Sequence, residues 1–216
     1  MNADKVAAAI EKLEDNLPIR TNQLALDPGL RELHQRILQH YLRHGYGPAI
    51  NSDGFRNDSA DGFAELARQK IIIINAVGDV VGAYPFVTES RRHQVLTSYG
   101  QVSAMCAFDA LAISSMFDVE TEIHSSCQVS NVPVLIRQMG NSITVGSPDD
   151  ELVAAVNWKA MSRSQSCSDS LCLEMMFIAG RDRASKWVND EAPGRELFSL
   201  QQAHTVISEI FVPLMH

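Results

Sequence analysis

The segment from Ser103 to Ile113, SAMCAFDALAI, constrains the fold more than any other stretch of the chain. It is apolar on almost every side if it is helical, and such a helix has to be covered by other elements all round. We therefore predict a helix over residues 104–116 at the centre of the fold. Ser103 is the expected N-cap, because a serine hydroxyl satisfies free backbone N–H groups at a helix start.

The N-terminal part of the chain combines helical periodicity with a hairpin pattern. Helices are expected over three ranges: 3–16, 29–43 and 61–69. Residues 70–75 contain four consecutive isoleucines and residues 80–87 form a second apolar run, with a turn at Gly78-Asp79 between them. This pattern predicts a hairpin. We therefore expect residues 1–87 to form a small helical, winged-helix-like region.

After residue 87 the pattern changes to short β-branched pieces placed around the central helix. Strands are predicted over four ranges: 119–126, 132–138, 141–146 and 171–179. A closing helix is expected over residues 199–215. Short antiparallel pieces combined with helices indicate an α+β fold. Residues 88–216 are therefore predicted to form a mixed, largely antiparallel sheet domain around the buried helix.

Charge and hydropathy argue against nucleic-acid binding and membrane insertion. The 216 residues carry a net charge of −8, whereas phosphate recognition needs clustered Lys and Arg. The densest basic groups, Arg91-Arg92-His93 and Arg181-Asp182-Arg183, are short, and we interpret both as solvated surface. No apolar run approaches the roughly 20 residues that a membrane helix needs. We expect neither a nucleic-acid partner nor a membrane partner.

The cysteines are expected to be free thiols. The N-terminus shows no secretory signal pattern, which predicts a cytoplasmic location where thiols stay reduced. Four cysteines, at positions 106, 127, 167 and 172, are then expected to be buried, metal-binding or catalytic. A zinc site made from all four stays an alternative, although the Cys167-x4-Cys172 spacing differs from the Cys-x2-Cys of a zinc knuckle.

Cys106 and Asp109 form the most informative pair. A spacing of three residues puts both side chains on one face of a helix. Apolar surroundings raise the pKa of a carboxyl group, which makes it able to carry protons near neutral pH. The pair is therefore a candidate acid/base site. The alternative from spacing alone is an inert core cysteine beside an aspartate that serves as a structural hydrogen-bond acceptor.

Several segments, taken in order, resemble the organomercurial (alkylmercury) lyase family. The Cys106-x-x-Asp109 segment resembles the catalytic helix of that family. Ser125-Ser126-Cys127 followed by Val132-Pro133-Val134 resembles the next segment, with its structural cysteine. Cys172, five residues before Phe177-Ile178-Ala179-Gly180, falls where the second catalytic cysteine stands. The similarity runs from about residue 70 to the C-terminus.

The chain departs from the family pattern at three places. Met105 precedes the first cysteine where family members often carry an aromatic residue. Leu173 and Glu174 follow Cys172 where many members have another cysteine and a His-x-His pattern. Cys167 is an additional cysteine. These departures leave the three catalytic positions in place.

The resemblance implies a lyase that cleaves carbon–mercury bonds by protonolysis, in mercury detoxification. Cys106, Asp109 and Cys172 would be catalytic, and the same three residues would hold the Hg(II) product. The family needs no organic cofactor or resident metal. External low-molecular-weight thiols would release the product, and a mercuric reductase is the candidate downstream partner.

Three alternatives remain open at this point. A non-catalytic thiol carrier or sensor for Hg or Cu on the same fold would need the two cysteines but not Asp109. A regulatory winged-helix protein with a ligand domain would need a basic recognition helix, and none is evident. A different thiol enzyme would act on another organometallic substrate.

Overall fold

The computed structural model describes residues 3–50, 52, 54–56, 58–147, 151–162, 166–190 and 193–216. The α-helices in these ranges are α1 (Ala3–Asn16), α2 (Ile19–Leu24), α3 (Pro28–His44), α4 (Ala60–Arg68), α5 (Ala107–Phe117), α6 (Arg181–Asn189) and α7 (Leu200–Phe211). The strands are β1 (Ile72–Ile74), β2 (Val80–Ala83), β3 (Phe86–Val87), β4 (His93–Thr97), β5 (Gly100–Ala104), β6 (Thr121–Ser126), β7 (Pro133–Met139), β8 (Ser142–Ser147), β9 (Leu152–Asn157), β10 (Met175–Ala179) and β11 (Arg195–Ser199).

Two antiparallel sheets form the framework of the fold. The larger sheet has eight strands in the order β1-β2-β3-β5-β4-β6-β7-β8, and the smaller has the order β10-β9-β11. Neighbouring strands of both sheets run antiparallel. The predicted α+β class with a largely antiparallel sheet is therefore confirmed. Strand β3, which ends at the predicted domain boundary at residue 87, pairs with β5, which lies after it. The division into two domains at that residue stays a prediction.

Helix α5 occupies the centre of the fold, as the sequence predicted. It contacts β4, β5, β6 and β7 of the larger sheet, β10 of the smaller sheet, and helix α7. All residues from Ala107 to Ser114 are buried. Phe108 meets Phe198 of β11 edge to face, with ring centroids 5.8 Å apart. Elements from both sheets therefore cover the helix that is apolar on nearly every side.

The start of this helix differs from the sequence prediction. Residues 100–104 form β5, which pairs with β4 on one side and β3 on the other, so the sheet extends to Ala104. Cys106, rather than Ser103, is the N-cap, and its Sγ accepts a hydrogen bond from the backbone N–H of Asp109 at 3.4 Å. The hydroxyl of Ser103 instead accepts a hydrogen bond from the backbone N–H of Arg91 at 2.9 Å. Pairing on both edges of β5 outweighs the helical preference of Ala104 and Met105.

Two predicted strands were too long. The segment predicted as a strand over 171–179 begins with a 3-10 helix at Leu171–Glu174, and strand β10 starts only at Met175. The strand predicted over 80–87 is divided into β2 and β3 at Tyr84-Pro85, because proline has no N–H to donate to a sheet ladder. The first of these corrections places Cys172 on a turn rather than on a strand.

The remaining predicted elements agree with the structure to within two residues, except at the C-terminus. There the predicted closing helix divides into α7 and a 3-10 helix over Val212–Met215, which contains Pro213. The sequence prediction omitted α2, α6, β4, β5, β9 and β11. The order of N-terminal helices followed by the β1–β2 hairpin is confirmed.

Two buried polar side chains fix α5 to the strands beneath it. The Ser114 hydroxyl donates a hydrogen bond to the Val119 carbonyl at 2.7 Å and accepts one from the Gly140 N–H at 2.8 Å. The Gln138 side chain, from β7, donates to the carbonyls of Leu111 and Gly140, both at 2.9 Å. These bonds hold the C-terminal half of α5 in a fixed position on the sheet.

Replacing Ser114 with alanine tests this attachment. The Ser114→Ala variant leaves a partly buried N–H and a partly buried carbonyl without their partner, which is expected to lower the free energy of unfolding by about 1–2 kcal/mol. Urea unfolding measures this change. Ser142→Ala, at an exposed position on β8, is the control and should stay within about 0.5 kcal/mol of wild type. Equal stability of the two variants would contradict the proposed attachment.

Candidate active site

Cys106 lies at the junction of β5 and α5. Its backbone is extended, with φ −152° and ψ 179°, so the residue caps the helix instead of belonging to it. The thiol is 1% exposed, and burial raises its pKa to about 12. The predicted placement of both Cys106 and Asp109 on a helix face was therefore wrong for the cysteine. The hydrogen bond from the Asp109 N–H nevertheless holds the two residues together.

Asp109 lies in the first turn of α5 and is 2% exposed. Burial raises the pKa of its carboxyl group to about 7, because the low-dielectric surroundings disfavour the ionised form. Hydrogen bonding with Cys106 and the positive charge of Arg91 act in the opposite direction. The carboxyl group can therefore both accept and donate a proton near neutral pH.

Cys172 reaches the same place from the 3-10 helix that precedes β10. Its Sγ lies 3.9 Å from Oδ2 of Asp109, and the residue is 4% exposed. Hydrogen bonds with Cys106 and Cys167, together with burial, raise the pKa of the Cys172 thiol well above its ordinary value. Both buried thiols are therefore protonated at neutral pH.

The structure brings the three predicted site residues into one buried cluster. One ligand atom from each of Cys106, Asp109 and Cys172 lies within 4.8 Å of the other two. Thiolate sulfur is the ligand that soft metal ions prefer. The cluster therefore combines two soft ligands with a carboxyl group that can move a proton.

Cys127 and Cys167 are not members of this cluster. Cys127 is buried, and its Sγ accepts a hydrogen bond from the backbone N–H of Ala179 at 3.3 Å. Cys167 is partly exposed, and its Sγ lies 3.6 Å from the Sγ of Cys172. No group of potential ligands among the described residues unites all four cysteines, so the geometry gives no support to a four-cysteine zinc site.

Three residues around the cluster were not identified from the sequence. Sδ of Met175 lies 3.9 Å from Sγ of Cys106. Tyr84 is buried, its hydroxyl accepts a hydrogen bond from the Ser168 N–H at 3.1 Å, and burial raises the pKa of this hydroxyl. Arg91 is the third. None carries a local motif that would have marked it.

The interpretation of Arg91-Arg92-His93 as solvated surface was wrong for Arg91 and His93. The Arg91 side chain is only 14% exposed, and it donates a hydrogen bond to the Ser168 carbonyl at 2.8 Å. His93 is buried on β4. Arg92 is the exposed member of the group. The charge of Arg91 acts on the cluster and helps to counter the effect of burial on the pKa of Asp109.

Each helix of the described residues is too short or too polar to span a lipid bilayer. The cytoplasmic location stays a prediction.

Comparison with known proteins gives a family match and a structural likeness. A family model described as "MerB: Alkylmercury lyase" matches residues 86–212. A search of curated proteins finds no match. Among solved structures, the chain is similar to a crystal structure described as the mercury-bound form of MerB2, with a TM-score of 0.73 and 16% sequence identity. The alignment covers 96% of this chain and 98% of that chain, which shows a shared fold.

The raised pKa of Asp109 predicts a pH-dependent stability difference. Its ordinary value is 3.8 and its value in the folded protein is about 7, so between these values the folded state holds a proton that the unfolded chain releases. This stabilising contribution is present in full below about pH 4 and is lost as pH rises through about 7. As pH rises over this window, the free energy of unfolding of wild type should therefore fall, relative to that of Asp109→Asn, by up to about 1.4 kcal/mol per pH unit.

Urea unfolding of both proteins between about pH 5 and pH 8 measures this difference. Comparing the two proteins cancels the titration of groups that they share. The difference should change with pH up to about 7 and level off above it. A difference that stays constant over the whole range would contradict the assignment of a raised pKa to Asp109.

Proposed function

The chain belongs to the alkylmercury lyase family, and we propose that Cys106, Asp109 and Cys172 together perform its chemistry. It is an organomercurial lyase, which cleaves the carbon–mercury bond of an organomercury compound by protonolysis and yields a hydrocarbon and Hg(II). The observation that carries the assignment of residues is the single buried cluster in which the two sulfurs and one carboxylate oxygen lie within 4.8 Å of one another.

The first step is the transfer of the organomercurial to the protein. The substrate R–Hg⁺ arrives bound to a small thiol as R–Hg–SR′. The sulfur of one buried cysteine forms a bond to mercury, the bond from mercury to the small thiol breaks, and the cysteine proton leaves with that thiol as R′SH. Mercury favours this exchange because thiolate is the soft ligand of proteins.

In the second step the sulfur of the second buried cysteine binds mercury, and its proton is transferred to Asp109. Burial raises the pKa of the Cys106 thiol to about 12, so this group needs a base before it can bind as a thiolate. Asp109, with a pKa of about 7, is partly ionised at neutral pH and accepts the proton. The second Hg–S bond adds electron density to mercury and weakens its bond to carbon.

Cleavage follows when Asp109 gives this proton to the carbon atom. The electron pair of the C–Hg bond goes to carbon, the hydrocarbon R–H leaves, and Hg(II) stays bound to two thiolates with no net charge. Exposed fractions of 1%, 2% and 4% for the three residues support this role for Asp109, because a site closed to bulk water keeps water from competing as the proton donor.

Product release requires thiols from outside the protein. Two small thiol molecules take Hg(II), and their protons return to Cys106 and Cys172, which restores the resting cluster. Transfer of the thiol-bound Hg(II) to a mercuric reductase stays a prediction, as does the absence of a resident cofactor.

The carrier or sensor alternative uses the same two sulfurs without a proton donor. It accounts for Cys106 and Cys172 but leaves no role for a buried carboxyl group whose pKa lies near neutrality. No observation on the described residues favours it. The two functions differ in one product: a carrier binds phenylmercury and releases no benzene.

Replacing the carboxyl group of Asp109 with an amide separates cleavage of the carbon–mercury bond from binding of mercury. In Asp109→Asn the amide cannot deliver a proton, so turnover should fall by about 10²–10⁴-fold, while both sulfurs still bind mercury. The assay is benzene release from phenylmercury with excess small thiol, measured by gas chromatography beside phenylmercury binding. Asp118→Asn, at an exposed position that ends the same helix, is the control and should turn over normally. Normal turnover in Asp109→Asn would refute the role of Asp109.

Removing either sulfur should abolish turnover for a different reason. Cys106→Ser and Cys172→Ser each leave mercury with one buried sulfur, and a hydroxyl oxygen is a poor ligand for a soft metal ion. Benzene release should be lost in both variants, and retention of Hg(II) against excess small thiol should be lost in Cys172→Ser. Benzene release by either variant, or retention of Hg(II) by Cys172→Ser, would contradict the two-thiolate scheme.

A further inference from the structure

Cys167 occupies a position between the buried cluster and the protein exterior. It begins a short 3-10 helix, Cys167–Asp169, and is the partly exposed member of the four cysteines. Its Sγ lies 3.6 Å from the Sγ of Cys172, so the two sulfurs are in van der Waals contact. Cys172 in turn lies 3.9 Å from the Asp109 carboxylate. The three groups form a continuous line from the partly exposed thiol to the catalytic acid.

Cys167 also lines a large cavity. Its volume is about 660 Å³, and it lies between the end of α1, strand β1 and the turn that carries Cys167. Leu17, the side chains of residues 72–74 and Tyr84 contribute apolar surface to it. Among the described lining residues, Cys167 is the one cysteine. A cavity of this size and lining is typical of a binding site for a small organic molecule.

We infer that Cys167 is a capture thiol, which takes the organomercurial from its small-thiol carrier in the cavity and passes it to Cys172. The inference rests on the proposed function and replaces its first step, direct attack by a buried cysteine, with two exchange steps that pass through Cys167. A path that bypasses Cys167 would require the whole R–Hg–SR′ molecule to reach sulfurs that are 1% and 4% exposed. Capture at the cavity leaves the small thiol outside the buried cluster.

Both exchange steps balance. In the first, the Cys167 sulfur bonds to mercury, the bond from mercury to the small thiol breaks, and the Cys167 proton leaves with R′SH. In the second, the Cys172 sulfur bonds to mercury, the bond from mercury to Cys167 breaks, and the Cys172 proton moves to the Cys167 sulfur. No electrons are transferred to or from another molecule.

The short distance between the two sulfurs explains why the second step can proceed inside the protein. The incoming sulfur must approach mercury while the outgoing sulfur is still bound, because a free organomercury cation in apolar surroundings is strongly disfavoured. Sulfurs 3.6 Å apart can contact one mercury atom at the same time. The apolar cavity wall accommodates the organic group meanwhile, so the chemical class of substrate that fits is an aryl- or alkylmercury bound to a small thiol.

Kinetics on the reduced full-length protein provide the first test. Cys167→Ser should lower kcat/KM for thiol-bound phenylmercury by at least about tenfold and leave kcat at saturating substrate within about twofold of wild type. A residue with a merely structural role would lower kcat and stability as well. An unchanged kcat/KM, or an equal fall in kcat, would overturn the inference.

Adduct formation provides a second test that does not need cleavage. Phenylmercury is offered as its complex with a small thiol to reduced Cys106→Ser/Cys172→Ser, and the bound equivalents are counted by native mass spectrometry. One adduct per chain is expected. It should disappear when Cys167→Ser is added, and it should persist when Cys127→Ser, the matched control, is added instead.

The two proposals fail in different ways in these experiments. Loss of the adduct with Cys127→Ser, or its persistence with Cys167→Ser, would overturn capture by Cys167 even if wild type releases benzene. A wild-type protein that releases no benzene would overturn the proposed lyase mechanism, and the adduct count would still decide whether Cys167 takes up mercury.

Discussion

The burial of two thiols and one carboxyl group in a single cluster is the constraint on which the rest of the structure depends. Ionised groups are disfavoured there, so the pKa values of Cys106, Asp109 and Cys172 are all raised. A soft dication changes this balance, because two thiolates and one Hg(II) form a neutral unit. In the proposed mechanism the two thiols give up their protons when their sulfurs bind mercury, and the carboxyl group carries a proton from sulfur to carbon.

Separate parts of the fold position this cluster. The end of β5 directs Cys106 into the helix start, the first turn of α5 holds Asp109, and the 3-10 helix before β10 supplies Cys172. Contacts of α5 with both sheets keep these parts together, and Ser114 fixes the far end of the helix. The positions of the three side chains are therefore fixed, because α5, the helix that carries Asp109, is covered by other elements on every side.

Particular residues show how much of the site could be predicted from sequence. Apolar flanks and a three-residue spacing made Cys106 and Asp109 a candidate pair at the centre of the fold, and the resemblance to a family added Cys172 to it. Ser103 was the wrong cap, because local helix preference does not reveal that the same residues pair with two strands. Arg91 was interpreted as surface, since its burial depends on Ser168, distant in sequence. The contact of Cys167 with Cys172 depends on a turn that sequence periodicity predicted as a strand.

A structure of the protein loaded with Hg(II) tests the central claim most directly. Anomalous X-ray data at the mercury absorption edge locate the metal without reference to any assumed site. We predict one dominant mercury position, bonded to the sulfurs of both Cys106 and Cys172 and adjacent to the Asp109 carboxylate. A fully loaded crystal with mercury bonded to neither of these sulfurs would contradict the account.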